Sequence, residues 1–343
     1  MRKYKKLIKE LLKAQSIAIF IHEYPDGDAI GSSSALYLYL KNKNKNVTLF
    51  SQDPIPFNMK WVSCAANYQS QVDLTKTFDL GVIIDCSDAK RPGDKICEQT
   101  KSCKQIIRID HHPNGEIYSE FDVVNPSTSS ACEVLAEILL ECKNAITKDV
   151  ANSLLFGILT DTCSLQNSNT RKRTVDMISI LMGKGADLNK LEEYAFAQTS
   201  VKEVEISKEF YKNMVLLIDE KIAYSFVGNE VIQKIGATKE DMNGHANILR
   251  NIMGVDLSFV IYEIQPHFFS ASLRSVEGVA CNKIAAEFYH ENLYKPTSKQ
   301  AQEYIKKRKL DNRTLKAFLI GYAGNFNELY LLLKQKGYTE EEM

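Results

Sequence analysis

Five short apolar runs alternate with helical patterns through the first half of the chain. Residues 17–21 (IAIFI), 47–50, 80–84 (LGVII), 105–109 (QIIRI) and 121–124 (FDVV) have strand length, and residues 29–40, 131–142 and 149–160 carry helical periodicity. Strands separated by helices imply βαβ units and a mainly parallel sheet. Residues 191–214 (LEEYAFAQTSVKEVEISKEFYKNM) then form a polar helical pattern that reads as a connector. Beyond it, strand-like VLLID, IAYSFV, LSFVIYEI and FFSASLRS precede helices near the C-terminus. The expected fold is α/β. A mainly parallel-sheet domain over residues 1–190 is joined by the connector 191–214 to a smaller α/β domain over 215–343.

Composition narrows the function classes. The 343 residues are long enough for about two domains at roughly 150 residues each. With 44% hydrophobic and 25% charged residues the chain can bury a core, which excludes disordered and coiled-coil classes. Lys and Arg total 43 against 43 Asp and Glu, so bulk attraction to long nucleic acids is excluded. A local basic pocket for a short anionic substrate is not. Two basic clusters, residues 2–13 and 295–316, read as solvated helix faces. The eight cysteines include no C-x-x-C pair. The first residues, MRKYKKLIKELLKA, read as an amphipathic helix rather than a leader, and no apolar run approaches the roughly 20 residues of a membrane span. The expected location is the cytoplasm, with reduced thiols and no membrane partner.

The chemistry lies where apolar elements end. His22-Glu23-Tyr24-Pro25-Asp26-Gly27-Asp28 follows IAIFI, Asp85 follows LGVII, Asp110-His111-His112 follows QIIRI, and Asp161 follows the helical SLLFGILT. In an open parallel sheet the loops at the carboxyl ends of strands converge on one crevice. Acidic groups gathered there would repel one another and lose hydration unless cations balanced them. Oxygen-rich sites with a few imidazoles suit Mn²⁺ or Mg²⁺ better than zinc. Two ions about 3.5–4 Å apart, bridged by one carboxylate, can hold a hydroxide nucleophile and clamp a phosphoryl oxygen. One H-x-x-x-D-x-D alone is equally a capped surface turn. Four such segments, each after an apolar element, weigh against that reading.

HEYPDGDAIGSSSAL, DCSDAKRPGD, IDHHPNG and GILTDT together resemble the four motifs of the DHH phosphoesterases, including the namesake Asp110-His111-His112. The spacing and the second domain most resemble the bacterial bifunctional oligoribonuclease and 3′-phosphoadenosine-5′-phosphate (pAp) phosphatase branch. The resemblance implies a DHH domain followed by a DHHA1-like domain. It implies two Mn²⁺ ions, with Mg²⁺ or Co²⁺ as alternatives. His22, Asp26 and Asp85 would hold one ion, and Asp28, Asp85, His111 and Asp161 the other, with Asp85 bridging. Asp110 would orient His111, and His112 would face the scissile phosphate, stabilising its charge or protonating the leaving oxygen.

The same resemblance places Arg91, Ser130, Arg250, Arg274 and Asn282 as candidate substrate contacts, with turn, cap or salt-bridge chemistry as the competing reading for the first three. Arg274 lies in ASLRS, the segment whose arginine reaches substrate in relatives. Asn169 and Thr170 fall at positions that shape the pocket. Ser32 to Ser34 read as packing and capping residues, and His245 and His267 as structural or exposed. Two departures stand out. Cys163 replaces the glycine usual after the Asp-Thr pair. The glycine-rich GGGH loop that follows N-K-I-A in the family is absent, and Tyr289, His290 and Glu291 stand in that region. The implied activity is hydrolysis of very short RNA or linear dinucleotides such as pApA to mononucleotides, and dephosphorylation of pAp, by a chain compatible with a homodimer. The alternatives are an inorganic pyrophosphatase or polyphosphatase, and a nucleotide-sensing protein with weak turnover.

Overall fold

The computed structural model describes residues 4–88, 90–197, 199–217, 221–238, 240–242, 244–266, 268–275, 280–307, 315, 320–322 and 326–335. The chain divides into two units, Met1–Thr199 and Ser200–Met343.

The first unit opens with helix α1 (Lys5–Lys13), whose Leu7 and Leu11 are buried. It continues β1 (Ser16–Phe20), α2 (Gly27–Lys41), β2 (Asn46–Phe50), β3 (Tyr68–Gln69), β4 (Leu80–Ile84), α3 (Asp94–Thr100), β5 (Ile106–Asp110) and β6 (Val123–Val124). Helices α4 (Ala131–Leu140), α5 (Lys148–Asp161), α6 (Lys172–Gly183) and α7 (Leu188–Glu192) follow. The six strands form one sheet in the order β3-β2-β1-β4-β5-β6, and every pairing is parallel. Strands of this sheet carry apolar residues on both faces because both faces are covered. Ile17, Ile19, Val82, Ile84, Ile107 and Ile109 join the large core with α2, α4 and α5. Ala18, Phe20 and Ile83 pack on the other side with Phe50, Phe78 and Ile96.

Chain order reverses between β1 and β4, which are neighbours although β2 and β3 intervene in sequence. This is the switch point at which the loops after adjacent strands diverge and leave a crevice. Behind it, α2 and α5 approach closely enough that small residues are required. A Cβ at Gly31 would lie 2.5 Å from the Ser153 carbonyl oxygen, and one at Gly157 would lie 2.2 Å from Cys132 Sγ. The parallel sheet and the helices expected from periodicity are therefore present, and β3, α3 and α6 are among the additions.

The second unit comprises α8 (Val201–Lys212), β7 (Val215–Leu217), β8 (Ile222–Val227), α9 (Asn229–Ile235), α10 (His245–Arg250), β9 (Leu257–Gln265) and β10 (Phe268–Ser275). Three further helices, α11 (Ala280–Leu293), α12 (Lys299–Lys307) and α13 (Phe326–Gln335), complete the described elements. Its sheet has the order β10-β9-β8-β7, with β8 and β9 parallel and the outer pairs antiparallel. Of the stretch read as a connector, α8 packs inside this unit. Its Ile206 and Phe210 are fully buried with Ala223, Val227, Leu249 and Val260. The polar majority of that helix obscured two core positions spaced i, i+4 on one face. His245 is buried and structural, within hydrogen-bonding distance of Ser207 and Tyr262; His267 lies outside the described residues. No helix among the described residues is long and apolar enough to cross a membrane.

Phe210 therefore supports the second sheet rather than a linker. Phe210→Ala is expected to destabilise the second unit by about 3–5 kcal/mol, the cost of removing a buried aromatic side chain. Hydrogen exchange should then accelerate in β8 and β9 and stay unchanged in β1, β4 and β5.

Candidate metal centre

Three adjacent strands present the chemistry. β1 ends at Phe20, paired with Ile83, and β4 ends at Ile84, paired with Ile109 of β5. His22 follows the first strand and Asp85 the second, while Asp110 closes the third. Asp85 has φ +55°, in the left-handed region that aspartate tolerates better than most residues. A strained residue held at a strand end is a recurrent feature of functional sites.

The side chains form two sets that share Asp85. His22 Nε2 lies 3.6 Å from Asp26 Oδ1 and 3.7 Å from Asp85 Oδ2. His111 Nε2 lies 3.7 Å from Asp85 Oδ1, 3.8 Å from Asp161 Oδ2 and 4.0 Å from Asp28 Oδ2. The two oxygens of Asp85 thus face different sets. Donors each about 2.1 Å from a shared ion stand roughly 3–4 Å apart, which is the spacing observed. Groups able to hold a metal comprise His22, Asp26 and Asp85, then Asp28, His111 and Asp161, and also Asp85, Asp110, His111 and His112.

The carboxylates are held by helix ends. Asp26 caps α2, its Oδ1 accepting from the backbone N–H of Asp28 and of Ala29. Asp28 accepts from the first amides of α4, Ala131 N–H at 2.6 Å and Cys132 N–H at 2.9 Å. Gly157 keeps that position open, since a Cβ there would lie 2.9 Å from Asp28 Oδ1. Asn169 donates through Nδ2 to the carbonyl oxygens of Ser129 and Asp161 and to Asp161 Oδ2 at 3.3 Å.

This arrangement is costly for bare anions. Asp28 is 1% and Asp85 3% exposed, and Asp85 Oδ1 is buried with no hydrogen-bond donor. Burial, reinforced by the charges of Asp85 and Asp26, pushes Asp161 up to about 7. Burial likewise raises Asp85 to about 6 and drives Asp28 well above the usual carboxylate range. Protons and a divalent cation compete for the same lone pairs, so the orphaned oxygen and the raised acidities fit a cation site. Oxygen donors with two imidazoles fit a hard divalent ion.

Asp110 is positioned differently from expectation. Its Oδ1 accepts from the backbone N–H groups of His111 and His112 and lies 2.8 Å from His112 Nδ1. It therefore holds the ring of His112 and reaches His111 through the backbone alone. That hydrogen bond raises the His112 pKa above its ordinary value, against the opposing effect of burial. The other oxygen of Asp110 pairs with Arg108, a residue 2% exposed that sequence reasoning passed over. An arginine two positions before Asp110 in the apolar run QIIRI shares its strand face, and that was the available signal.

Among the candidate substrate contacts, Ser130 is a correction. It is fully buried and caps α4, its Oγ accepting from Glu133 N–H at 3.0 Å, so it is spent on the helix. Ser32, Ser33 and Ser34 are buried, as packing required. Arg91 has an exposed side chain, and its carbonyl oxygen accepts from Glu23 N–H, tying the loop after β4 to the loop after β1. Arg250 ends α10 and Arg274 is exposed on β10, both in the second unit. Asn282 lies in α11, its side chain outside the described set. His290 Nδ1 lies 2.9 Å from the Ile320 carbonyl oxygen.

Cys163 adopts φ +49°, followed by Ser164 at +52° and Leu165 at +67°. Three consecutive side-chain-bearing residues in the left-handed region strain the turn directly after Asp161. Cys163→Gly is expected to stabilise the first unit by about 0.5–1 kcal/mol. A rise in thermal midpoint of the metal-free protein, with unchanged metal affinity, would register it.

Residues 16–158 match the model of the DHH family, N-terminal domain, and residues 288–343 match that of the DNA primase catalytic core, N-terminal domain. The second match falls on none of the clustered residues. A bifunctional oligoribonuclease and PAP phosphatase NrnA of Mycoplasma genitalium is 26% identical over 294 residues, 82% of this chain and 87% of that protein. The protein of the same description from Thermus thermophilus is 25% identical over 285 residues, 82% of this chain and 83% of its own length. In three dimensions the chain resembles an exopolyphosphatase-related protein from Bacteroides fragilis, with a TM-score of 0.76 and 26% identity, over 83% of this chain and 86% of that one.

Proposed function

Proceeding from the DHH-family N-terminal domain that residues 16–158 carry, we propose that the protein is a Mn²⁺-dependent phosphoesterase acting on very short RNA and linear dinucleotides. It releases mononucleotides and also dephosphorylates pAp. The substrate class is supported by the relatives described as oligoribonucleases and PAP phosphatases, which this chain matches over most of its length. The observation that carries the chemistry is the Asp85 carboxylate, buried with one oxygen toward each set of donors.

His22, Asp26 and Asp85 would hold one ion, and Asp28, Asp85, His111 and Asp161 would hold the other. When bound, the two ions supply a hydroxide nucleophile and neutralise charge on the phosphoryl oxygens. The remaining work falls to the chain. A carboxylate can only accept, so Asp110 keeps a proton on His112 Nδ1 and leaves Nε2 for the substrate. His112 is half-exposed, unlike Asp85 and Asp110, as a group meeting substrate must be. Protonated on both nitrogens, it donates from Nε2 to the departing ribose oxygen. Arg274, with its planar fork of donors, binds a substrate phosphate or base, and Arg91, Arg250 and Asn282 add contacts.

A second reading, hydrolysis of inorganic pyrophosphate or polyphosphate, draws on the likeness to the exopolyphosphatase-related protein of Bacteroides fragilis. One assay separates the two. Protein with Mn²⁺ is offered RNA of two to about twenty nucleotides, pApA, pAp, cyclic di-AMP and pyrophosphate. Mononucleotides from the shortest RNA and from pApA are expected, whereas phosphate from pyrophosphate alone would favour the second reading. Asp85→Ala should lower kcat by about 10³-fold or more without loss of the circular dichroism spectrum.

A further inference from the structure

Arg108 is the largest fully buried side chain among the described residues. Its guanidinium faces three segments at once. Nε donates to the Cys86 carbonyl oxygen at 2.9 Å, directly beyond Asp85. Nε at 3.0 Å and Nη2 both donate to Asp110 Oδ2. Nη2 also reaches the carbonyl oxygens of His112 at 3.3 Å and Asn114 at 2.8 Å, and Nη1 that of Glu116 at 3.3 Å. The loop closes tightly over it. Gly115 has φ +133°, and a Cβ there would lie 2.0 Å from the Ser87 carbonyl oxygen and 2.6 Å from Arg108 Nη1.

A buried cation is tolerated only when paired and fully hydrogen-bonded, and this one is. Lysine could replace the charge. It could not reproduce a planar fork serving one carboxylate and four carbonyl oxygens. With Oδ2 held by Arg108, the opposite oxygen of Asp110 is fixed toward His112 Nδ1. The carbonyl of His112 itself is bonded to the same guanidinium, so ring and backbone are restrained from one point.

We propose that Arg108 is a positioning residue that aims His112 at the leaving oxygen through Asp110. This rests on the reading of His112 as the proton donor. It predicts a dependence on the leaving group. A ribose oxygen needs a proton as it departs, whereas p-nitrophenolate does not.

The test is a double-mutant cycle on the Mn²⁺-loaded full chain, with pApA and the p-nitrophenyl ester of a nucleoside 5′-phosphate as substrates. Arg108→Lys and His112→Asn should each lower kcat on pApA by about 10²-fold and on the p-nitrophenyl ester by less than about 3-fold. Arg108→Lys added to His112→Asn should lower pApA turnover no further. Asp110→Asn, which weakens the same link from the carboxylate side, should give the same signature and serves if Arg108→Lys does not fold. A loss profile across the two substrates unlike that of His112→Asn, or full additivity with His112→Asn, would overturn the assignment of Arg108. If His112→Asn and Arg108→Lys lower both substrates equally and remain non-additive, the proton-donor reading fails and the positioning link stands.

Discussion

Four carboxylates, Asp26, Asp28, Asp85 and Asp161, meet at the carboxyl end of a parallel sheet, and two of them are almost wholly shielded from water. Such a cluster cannot stay ionised in a folded protein without compensating positive charge. Two divalent cations carry four positive charges, matching the four carboxylates with the imidazoles of His22 and His111 neutral. The fifth acid, Asp110, is paired separately with Arg108. Seen this way, the neighbourhood is neutral in two independent halves. One half would be balanced by ions that the site fits, and the other is balanced by an arginine built into the strand.

The rest of the first unit serves this balance. The reversal of strand order between β1 and β4 opens the crevice, and the helix starts of α2 and α4 supply amides to Asp26 and Asp28. Glycines at 31 and 157 bring α2 against α5, so that Asp28 and Asp161 are carried on packed helices rather than loose loops. Left-handed backbone at Asp85 and at Cys163 to Leu165 shows where local comfort has been given up to aim a carboxylate.

Much of this was legible from residue order. Apolar runs of strand length located β1, β2, β4 and β5 because a sheet covered on both faces needs uninterrupted hydrophobic strands. That His22, Asp26, Asp28, Asp85, His111 and Asp161 would cluster was legible because each follows an apolar element, where the fold must place it. Three features were not. The partner of Asp110 is chosen by ring placement that no spacing encodes, and it is His112 rather than the ring of His111. Ser130 could equally cap or bind, and only burial decides for the cap. Helix α8 is polar around most of its surface, which hid the buried pair Ile206 and Phe210. The absence of the GGGH loop, by contrast, is a sequence fact about the second unit.

If Asp85 joins two ions, metal stoichiometry is the quantity that its loss must change. Metal-stripped protein equilibrated with Mn²⁺ and analysed for bound metal should carry two ions per chain. Asp85→Asn, folded by circular dichroism, should carry fewer than one at the same concentration of free Mn²⁺. A single ion in the unaltered protein, or two retained in Asp85→Asn, would contradict the bridged pair.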